Sequence, residues 1–202
     1  KCIKVELVDD GADYNRRLRD LADGNSQFAL FTIDALIKAS AEYANRPQDL
    51  PGTIILICDE STGADAIVGH ARTFENLDAL NSPEVKFVCT KSSPSETLTQ
   101  VIMENFRLSR KSDNPWIYTN SAAEVYEAYR SSKPSDKKVF VLWEPYVSKV
   151  LQNPDYKRLI DSAKFRGYIV DGLVVSRDFL SKNHDVVTSV TEAYVTTMYN
   201  NR

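Results

Sequence analysis

Apolar residues recur along the chain with two alternating periods, one typical of strands and one typical of helices. Strands are predicted at residues 2–8, 28–31, 53–58, 66–71, 85–89, 116–119, 138–143, 158–161 and 168–175. Helices are predicted at residues 13–22, 33–44, 94–108, 121–130 and 144–151, and two closing helices start at Ser176 and Asn183. Strands that alternate with helices in this way favour an α/β fold with parallel sheets packed between helices.

Two parts of the chain break this alternation. Between residues 53 and 71, two strand-like segments follow each other with no helix between them, and the strand at 168–175 leads directly into the closing helices. Extended segments of this kind can carry a chain from one lobe to another and back. We therefore expect two α/β lobes joined by hinge strands, with residues 1–61 plus 173–202 in the first lobe and 62–172 in the second.

The sequence Ser93-Pro94-Ser95-Glu96 has the features of a helix start. Ser93 suits the N-cap, Pro94 suits the first helical position, and Glu96 stands where a capping box places its carboxylate. The first turn of a helix also has unpaired N–H groups and a positive dipole end, which are features of anion sites. Because a carboxylate at Glu96 would repel an anion, the local sequence leaves both capping and ligand binding open.

The composition excludes several classes of protein. The 202 residues are 43% hydrophobic and 26% charged, with a net charge of −3, which is ordinary for a globular protein. Basic residues are scattered rather than clustered, so we expect no nucleic-acid partner. No apolar run approaches the roughly 20 residues of a membrane span.

Residues with reactive or metal-binding side chains show no recognisable arrangement. Cys2, Cys58 and Cys89 lie far apart, each in or beside an apolar run, and His70 and His184 belong to no local motif. No spacing typical of a metal site occurs, and no nucleophile with a neighbouring base is recognisable. We therefore expect no catalytic residue, no metal site and no cofactor.

Five segments together carry a family resemblance that covers nearly the whole chain. Val141–Val150 contains a Trp-x-Pro-Tyr helix start, Ser93–Leu98 leads into a helix, and Tyr168–Leu180 is a strand followed by a helix start. With Phe28–Asp34 and Asp178–Val187, these segments resemble type II periplasmic solute-binding proteins, most closely the nitrate, taurine, aliphatic-sulfonate and thiamine-precursor branch. More narrowly, the chain resembles phosphate-type ABC binding components, some of which are fused to an OmpA-like domain.

The resemblance implies a type II periplasmic-binding-protein-like fold, a periplasmic or cell-envelope location and a non-enzymatic role in uptake. It implies a small polar solute bound in an interlobe cleft by hinge closure, and an ABC permease in the inner membrane as partner. The alternative is an envelope structural or sensory module that kept the fold and lost or changed its ligand. An enzymatic branch, which makes the thiamine pyrimidine, implies a catalytic histidine and a cysteine cluster, and neither pattern occurs here.

The start of the chain departs from the family pattern. Residues 2–8 resemble the family's second strand, so the first lobe is expected to lack the leading strand and helix. A sheet without that strand exposes an edge, which is a route to dimerisation or strand exchange. This predicts a homodimer formed through the exposed sheet edge.

The resemblance also implies that ligand contacts lie at the strand ends and helix starts that line the cleft. The candidate residues are Thr32, Asp34, Asp59, Ser61, Thr62, Ser93, Ser95, Glu96, Thr97, Trp143, Glu144, Tyr146 and Asp171. Several carboxylates beside an aromatic ring suit a cation or a zwitterion, although hydroxyls and backbone N–H groups alone can hold an anion. Alternatively, Glu96 and Glu144 only stabilise helix starts, and Trp143 belongs to the core.

Overall fold

The computed structural model describes residues 3–201. The strands are β1 (Phe28–Thr32), β2 (Gly52–Glu60), β3 (Asp65–His70), β4 (Lys86–Thr90), β5 (Trp116–Thr119), β6 (Lys138–Trp143), β7 (Tyr156–Asp161) and β8 (Val170–Ser176). The α-helices are α1 (Tyr14–Ala22), α2 (Ile33–Ala39), α3 (Pro94–Asn105), α4 (Ala122–Arg130), α5 (Tyr146–Leu151), α6 (Arg177–Lys182) and α7 (His184–Asn200). None of the helices within residues 3–201 has both the length and the apolar character needed to cross a bilayer.

The described chain divides into two compact units. The first contains the residues up to Asp59 together with those from Asp171 onward, and the second is Glu60–Val170. The chain leaves the first unit near the end of β2 and returns near the start of β8. Both crossings therefore lie inside strands, two residues before the boundaries predicted at 61 and 173.

The second unit is built on a five-stranded sheet with the order β5-β4-β6-β3-β7. β4 runs parallel to β5 and β6, whereas β3 runs antiparallel to β6 and β7. The expected parallel sheet is therefore wrong for β3 and β7, and the sheet is mixed. Parallel pairing needs a crossover connection, which α3 and α4 provide. β3, in contrast, follows β2 with no helix between them.

Two apolar clusters cover this sheet. Val139 and Val141 of β6 belong to one cluster, and Phe140 and Leu142 belong to the other. Because successive residues of a strand point to opposite sides, the two clusters lie on opposite faces of the sheet. The second unit thus has a buried core on each side of its central strands.

The first unit has a three-stranded sheet with the order β1-β8-β2. β1 and β8 are antiparallel, with Phe28 opposite Val175 and Thr32 opposite Asp171. One apolar cluster joins this sheet to α1 and α2, and it contains Leu18, Leu21, Phe31, Leu36, Ala39 and Val174. Within the described sheet, β1 and β2 are both edge strands.

Residues 3–8 do not form the strand that their alternating pattern predicts. The first residue of that predicted strand, Cys2, lies outside the described residues. The segment is exposed, and Leu7 keeps 94% of its surface accessible. A strand needs a partner for its backbone groups, and none of the described strands pairs with residues 3–8. The alternating pattern indicates that the segment favours an extended conformation, but it does not specify a neighbouring strand.

Local capping explains why several helices begin where the sequence predicts. The Asp13 side chain accepts a hydrogen bond from the Arg16 N–H at the start of α1. The Ser121 side chain does the same for the Glu124 N–H at the start of α4. Each bond satisfies a backbone donor that the first helical turn leaves unpaired.

Candidate functional site

One edge of the second unit's sheet gathers three of the predicted segments. β4, β5 and β6 are parallel, so their carboxyl ends lie at the same edge, and each is followed by a helix. β3 begins at this edge, with Asp65 opposite Trp143 at the end of β6. The topology therefore brings Ser61–Thr62, Ser93–Thr97 and Trp143–Tyr146 to one edge, where α/β folds commonly hold ligands.

The start of α3 follows the prediction in position but not in its capping bond. Ser93 occupies the N-cap and Pro94 the first helical position. The Ser93 side chain makes no capping bond, so that prediction is wrong. Its hydroxyl instead donates to the backbone carbonyl of Thr90 at 2.7 Å. Ser93 is fully buried, and a buried carbonyl at a strand end needs a donor.

Two buried hydroxyls lie where β4 ends and α3 begins. Thr90 is 2% exposed and Ser95 is 0% exposed. Within residues 3–201, Thr90 Oγ1 and Ser95 Oγ have no hydrogen-bond partner. Such a hydroxyl costs about 1–3 kcal/mol of stability, and the positive end of the α3 dipole lies beside both. The sequence singled out Ser95 but missed Thr90, whose only signal is its place as the last residue of a strand.

The Glu96 carboxylate is held at this same helix start. Its Oε2 accepts from the Ser92 N–H at 2.8 Å, and its Oε1 accepts from the Tyr118 hydroxyl at 2.7 Å. Burial, this hydrogen bond and the charge of Glu96 raise the pKa of Tyr118. Lys91 Nζ lies 5.9 Å from the centre of the Tyr118 ring. Glu96 therefore organises the loop around α3, while Thr97 is half-buried in the first turn.

The segment from Trp143 to Tyr146 is explained by contacts within its own unit. Glu144 accepts from the Ser148 N–H at 3.1 Å and from the Ser148 hydroxyl at 2.9 Å, so its carboxylate stabilises α5. Trp143 and Tyr146 pack against one of the two apolar clusters, and Lys149 Nζ lies 4.8 Å from the Tyr146 ring centre. These contacts favour the interpretation as a helix start and core aromatics.

Ser61 closes a turn between β2 and β3. Its hydroxyl donates to Asp65 Oδ2 at 2.6 Å and lies 2.8 Å from Ser162 Oγ. Ser162 Oγ also accepts from the Gly63 N–H at 2.8 Å. Thr62 is exposed in this turn. The hydrogen bonds of Ser61 are therefore used inside the second unit.

Four predicted residues lie at strand ends of the first unit. Thr32 ends β1, Asp34 is in the first turn of α2, Asp59 lies near the end of β2, and Asp171 lies near the start of β8. Thr32 and Asp171 are directly opposite in the ladder, so their side chains project from the same face. Burial raises the pKa of Asp171, and the charges of Asp59 and Asp34 raise it further. The structure therefore brings these carboxylates close enough to interact.

Thr32 and a tyrosine of the last helix complete this cluster. Thr32 is 7% exposed, makes no capping bond to α2, and its Oγ1 has no hydrogen-bond partner in the described part of the chain. A hydrogen bond with Cys58, then burial, and then the charges of Cys58, Asp171 and Asp59 raise the pKa of Tyr194 to about 12. Sequence reasoning missed Tyr194, because a tyrosine in a C-terminal helix carries no local signal of such neighbours.

A cavity of about 460 Å³ opens elsewhere on the second unit. Glu75, Lys157 and Arg158 are among its lining residues, and none of the predicted site residues lines it. Lys157 Nζ donates to the Glu75 carbonyl at 2.7 Å, and Arg158 forms an ion pair with Asp161 at 3.0 Å. The cavity's basic side chains are therefore already bound to neighbouring protein groups.

Comparison with known proteins identifies the fold. No family description and no curated protein matches the sequence. Among solved structures, the periplasmic aliphatic sulphonate binding protein SsuA from Escherichia coli matches with a TM-score of 0.65 and 16% identity, covering 90% of this chain and 58% of that chain. The alkanesulfonate-binding protein SsuA from Xanthomonas axonopodis pv. citri, bound to MOPS, matches with a TM-score of 0.69 and 13% identity, covering 89% and 58%. The substrate binding protein of an amino acid ABC transporter matches with a TM-score of 0.64 and 13% identity, covering 98% and 76%.

These matches confirm the predicted α/β fold of the periplasmic-binding-protein type. The chain spans 58% of the length of either SsuA protein. At identities of 16% or less, what the proteins share is the fold.

Proposed function

We propose that this chain is the solute-binding part of an ABC-type uptake system in the periplasm or at the cell envelope. It captures a small polar solute without chemical change, and an ABC permease in the inner membrane is its partner. The fold supports this proposal, since neighbours with the same fold are described as sulphonate and amino acid binding proteins. The observation that carries it is the pair of unsatisfied buried hydroxyls of Thr90 and Ser95 at the start of α3.

These two hydroxyls favour ligand binding, because burying them without a hydrogen-bond partner destabilises the ligand-free protein. A ligand atom that pairs with Thr90 Oγ1 or Ser95 Oγ removes the penalty of a buried unpaired group. The dipole of α3 adds a preference for negative charge, whereas the anchored Glu96 carboxylate opposes it. A singly charged oxygen group, such as a sulfonate or a carboxylate, therefore suits this helix start better than a phosphate dianion. Solute binding would then favour the closed form through hinge closure.

Thermal unfolding in the presence of alkanesulfonates, phosphate, amino acids and simple amines tests the proposal. A solute at a hundred times its Kd stabilises the folded state by about 2.7 kcal/mol. Ser95→Ala should reduce that shift. Ser131→Ala should leave it unchanged, since Ser131 is exposed and its hydroxyl bonds only to carbonyls of its own helix. If no solute raises the unfolding temperature, the alternative of a structural or sensory envelope module is supported instead.

A second copy of the chain is the other partner we propose, through the edge of β1 that pairs with no strand within residues 3–201. The Ser176 N–H donates to the Gln27 carbonyl, so alternation along the ladder turns the backbone groups of Leu30 away from β8. At that edge the Leu30 carbonyl accepts from Arg17 at 2.6 Å. Leu30 is 48% exposed, and the exposed residues 3–8 are a strand-like segment that could pair there. Light scattering at high concentration should show a dimer, and a strict monomer would contradict this part.

A further inference from the structure

We propose that the first unit recognises an ammonium group of the solute, at the strand ends where Asp171 and Thr32 lie and with Tyr194 of α7 as a further contact. This inference rests on the proposed solute-binding function and adds the class of solute, an organic amine. The acceptors belong to three different elements, β8, β1 and α7. All three lie within the first unit.

The first argument is the unused hydroxyl of Thr32. Its Oγ1 is buried, has no hydrogen-bond partner within residues 3–201, and shares a sheet face with the directly opposite Asp171. A buried hydroxyl oxygen beside a carboxylate is an acceptor that a donor-rich ligand can use. The carboxylates therefore do not stand alone as an acidic patch, because an unsatisfied polar atom accompanies them.

The second argument is the sign of the local charge. Asp59 and Asp34 both act on Asp171 strongly enough to raise its pKa beyond the effect of burial. The raised pKa persists although Lys38 follows Asp34 by one turn on α2. Negative potential therefore dominates at Asp171. A cation relieves that repulsion, whereas an anion would add to it.

The third argument is the match between donors and acceptors. An ammonium group has three N–H donors and no acceptor. The Asp171 carboxylate, Thr32 Oγ1 and Tyr194 Oη provide three acceptors. Tyr194 forms a hydrogen bond with Cys58, and because a phenol oxygen has two acceptor lone pairs, at least one remains for a ligand. Tyr194 also stays neutral at physiological pH and adds no further negative charge.

The arrangement of the acids is unlike that of a metal site. Within residues 3–201, no group of three or more His, Cys, Asp or Glu side chains is placed to hold a metal ion. Carboxylates that interact without converging, next to a hydroxyl and a phenol, suit a larger cation with directional N–H donors. This favours an organic ammonium over a divalent metal.

Calorimetry on the complete chain with three matched small molecules tests the inference. The probes are 2-aminoethanesulfonate, 2-hydroxyethanesulfonate, in which a hydroxyl replaces the ammonium, and 2-aminoethanol, which lacks the sulfonate. We expect 2-aminoethanesulfonate to bind roughly tenfold more tightly than its hydroxyl analogue, or better, because a hydrogen bond to a charged group is lost. Equal affinity for the two sulfonates would overturn the inference and leave the proposed function intact. If none of the three probes binds and no other amine raises the unfolding temperature, the inference fails, and the proposed function fails with it only if alkanesulfonates and phosphate also leave that temperature unchanged.

Variants locate the preference on named residues. Asp171→Asn and Thr32→Val preserve side-chain shape. Each should weaken the binding of 2-aminoethanesulfonate roughly tenfold and leave the affinity for 2-hydroxyethanesulfonate unchanged. Asp178→Asn is the matched control, because Asp178 is an exposed carboxylate of the same unit that pairs with Lys182. The control should keep the wild-type preference. If Asp178→Asn weakens the amine as much as Asp171→Asn does, the effect is general electrostatics and the inference is wrong.

Discussion

The two units bury their apolar residues to different extents. In the second, apolar clusters cover both faces of the sheet, and each residue of Val139–Leu142 is at most 1% exposed. In the first, one cluster holds the sheet to α1 and α2, whereas Leu7, Ile54 and Ile57 are 94%, 41% and 58% exposed. Most of the exposed large hydrophobic side chains in the described chain belong to this smaller unit.

The second unit is therefore stabilised by its own core, whereas the first unit still exposes apolar surface to solvent. Burial contributes about 25 cal/mol for each Å² of apolar surface removed from water. In the second unit, this burial stabilises both faces of the sheet. The first has exposed strand edges, exposed apolar residues and carboxylates that repel one another, and binding can stabilise each of these features. We therefore expect the first unit to open more readily and to respond more strongly to ligands.

Truncating a core phenylalanine in each unit should give the largest effects. Phe140 is 1% exposed, and its ring centre lies 5.7 Å from that of Tyr129. Phe140→Ala should cost about 3–5 kcal/mol through lost burial and a cavity. Phe31 is equally buried in the first unit, so Phe31→Ala is its counterpart. Denaturant unfolding combined with hydrogen exchange should show that Phe31→Ala loosens the first unit while the second stays protected. Equal loosening of both units by both variants would show that the two units do not differ as described.

An ion pair contributes the next largest effect, in the first unit. The Arg17 guanidinium contacts the Asp10 carboxylate and the Leu30 carbonyl. Burial alone would raise the pKa of Asp10, but the hydrogen bonds and charge of Arg17 outweigh it and lower that pKa. Arg17→Gln should therefore cost about 2 kcal/mol at neutral pH. Because the folded-state pKa of Asp10 is lowered, the stabilisation exists above its ordinary value of 3.8 and is lost as the pH falls through the lowered value.

A surface arginine of the same helix is the control for this ion pair. Arg16 is 52% exposed and lies 3.5 Å from Asp20, so Arg16→Gln should change the unfolding free energy by less than about 0.5 kcal/mol. Urea unfolding at several pH values measures both variants. A pH-independent loss for Arg17→Gln would mean that packing of its alkyl chain, rather than the ion pair, stabilises the edge of β1.

The helix start at Pro94 shows how far local sequence can predict a site. The boundary, the proline position and the first-turn carboxylate follow from short-range chemistry, and the structure has them where expected. The partners of those side chains depend on the fold. Ser93 turns to Thr90 because a buried strand end lies there, and Glu96 binds Tyr118, which is 22 residues away. Local patterns therefore place side chains at the site without determining their hydrogen bonds.

Residues 3–8 and Tyr194 mark the opposite limit. The alternation of residues 3–8 is typical of a strand, but a strand forms only beside a partner, which no local pattern specifies. Tyr194 joins the carboxylate cluster because the fold brings its side chain within reach of Cys58, Asp59 and Asp171. In contrast, the resemblance of ordered segments along the chain was sufficient to predict the fold, since order and spacing reflect the whole architecture.

Two buried threonines in the second unit should respond with opposite signs. Thr90 Oγ1 has no partner within the described residues, so Thr90→Val should raise the unfolding free energy of the ligand-free protein by about 1 kcal/mol. Thr99 Oγ1 donates to the Ser95 carbonyl at 2.8 Å, so Thr99→Val should lower it by about 1 kcal/mol. Thr90→Val should also weaken the binding of any solute that stabilises the wild-type protein. If both variants are destabilising, the Thr90 hydroxyl has a hydrogen-bond partner in solution. The start of α3 would then no longer be supported as a ligand site.

The smallest expected effect is a gain of stability on removing a carboxylate from the first unit. Burial and the charges of Asp59 and Asp34 raise the pKa of Asp171, so its ionised form is unfavourable in the folded protein. A raised folded-state pKa means that folding takes up protons, so stability falls as the pH rises through that pKa and is fully restored only near the ordinary value of 3.8. Asp171→Asn should therefore raise the unfolding free energy at pH 7, by less than about 1 kcal/mol for a half-buried group, and the gain should vanish in acid.

The pH profile of this gain separates electrostatics from packing at the same position. Tyr194 stays neutral over this range and should not contribute, since its pKa is about 12. Asp178→Asn, at an exposed carboxylate paired with Lys182, should give no gain at any pH. Urea unfolding of both variants between pH 4 and pH 8 provides the measurement. A gain for Asp171→Asn that is the same across this range would mean that the side chain is strained rather than crowded by charge. A gain in unfolding free energy confined to the higher pH values would show that the ionised carboxylate cluster lowers the stability of the first unit. A negatively charged cluster of this kind is what a site for an ammonium group requires.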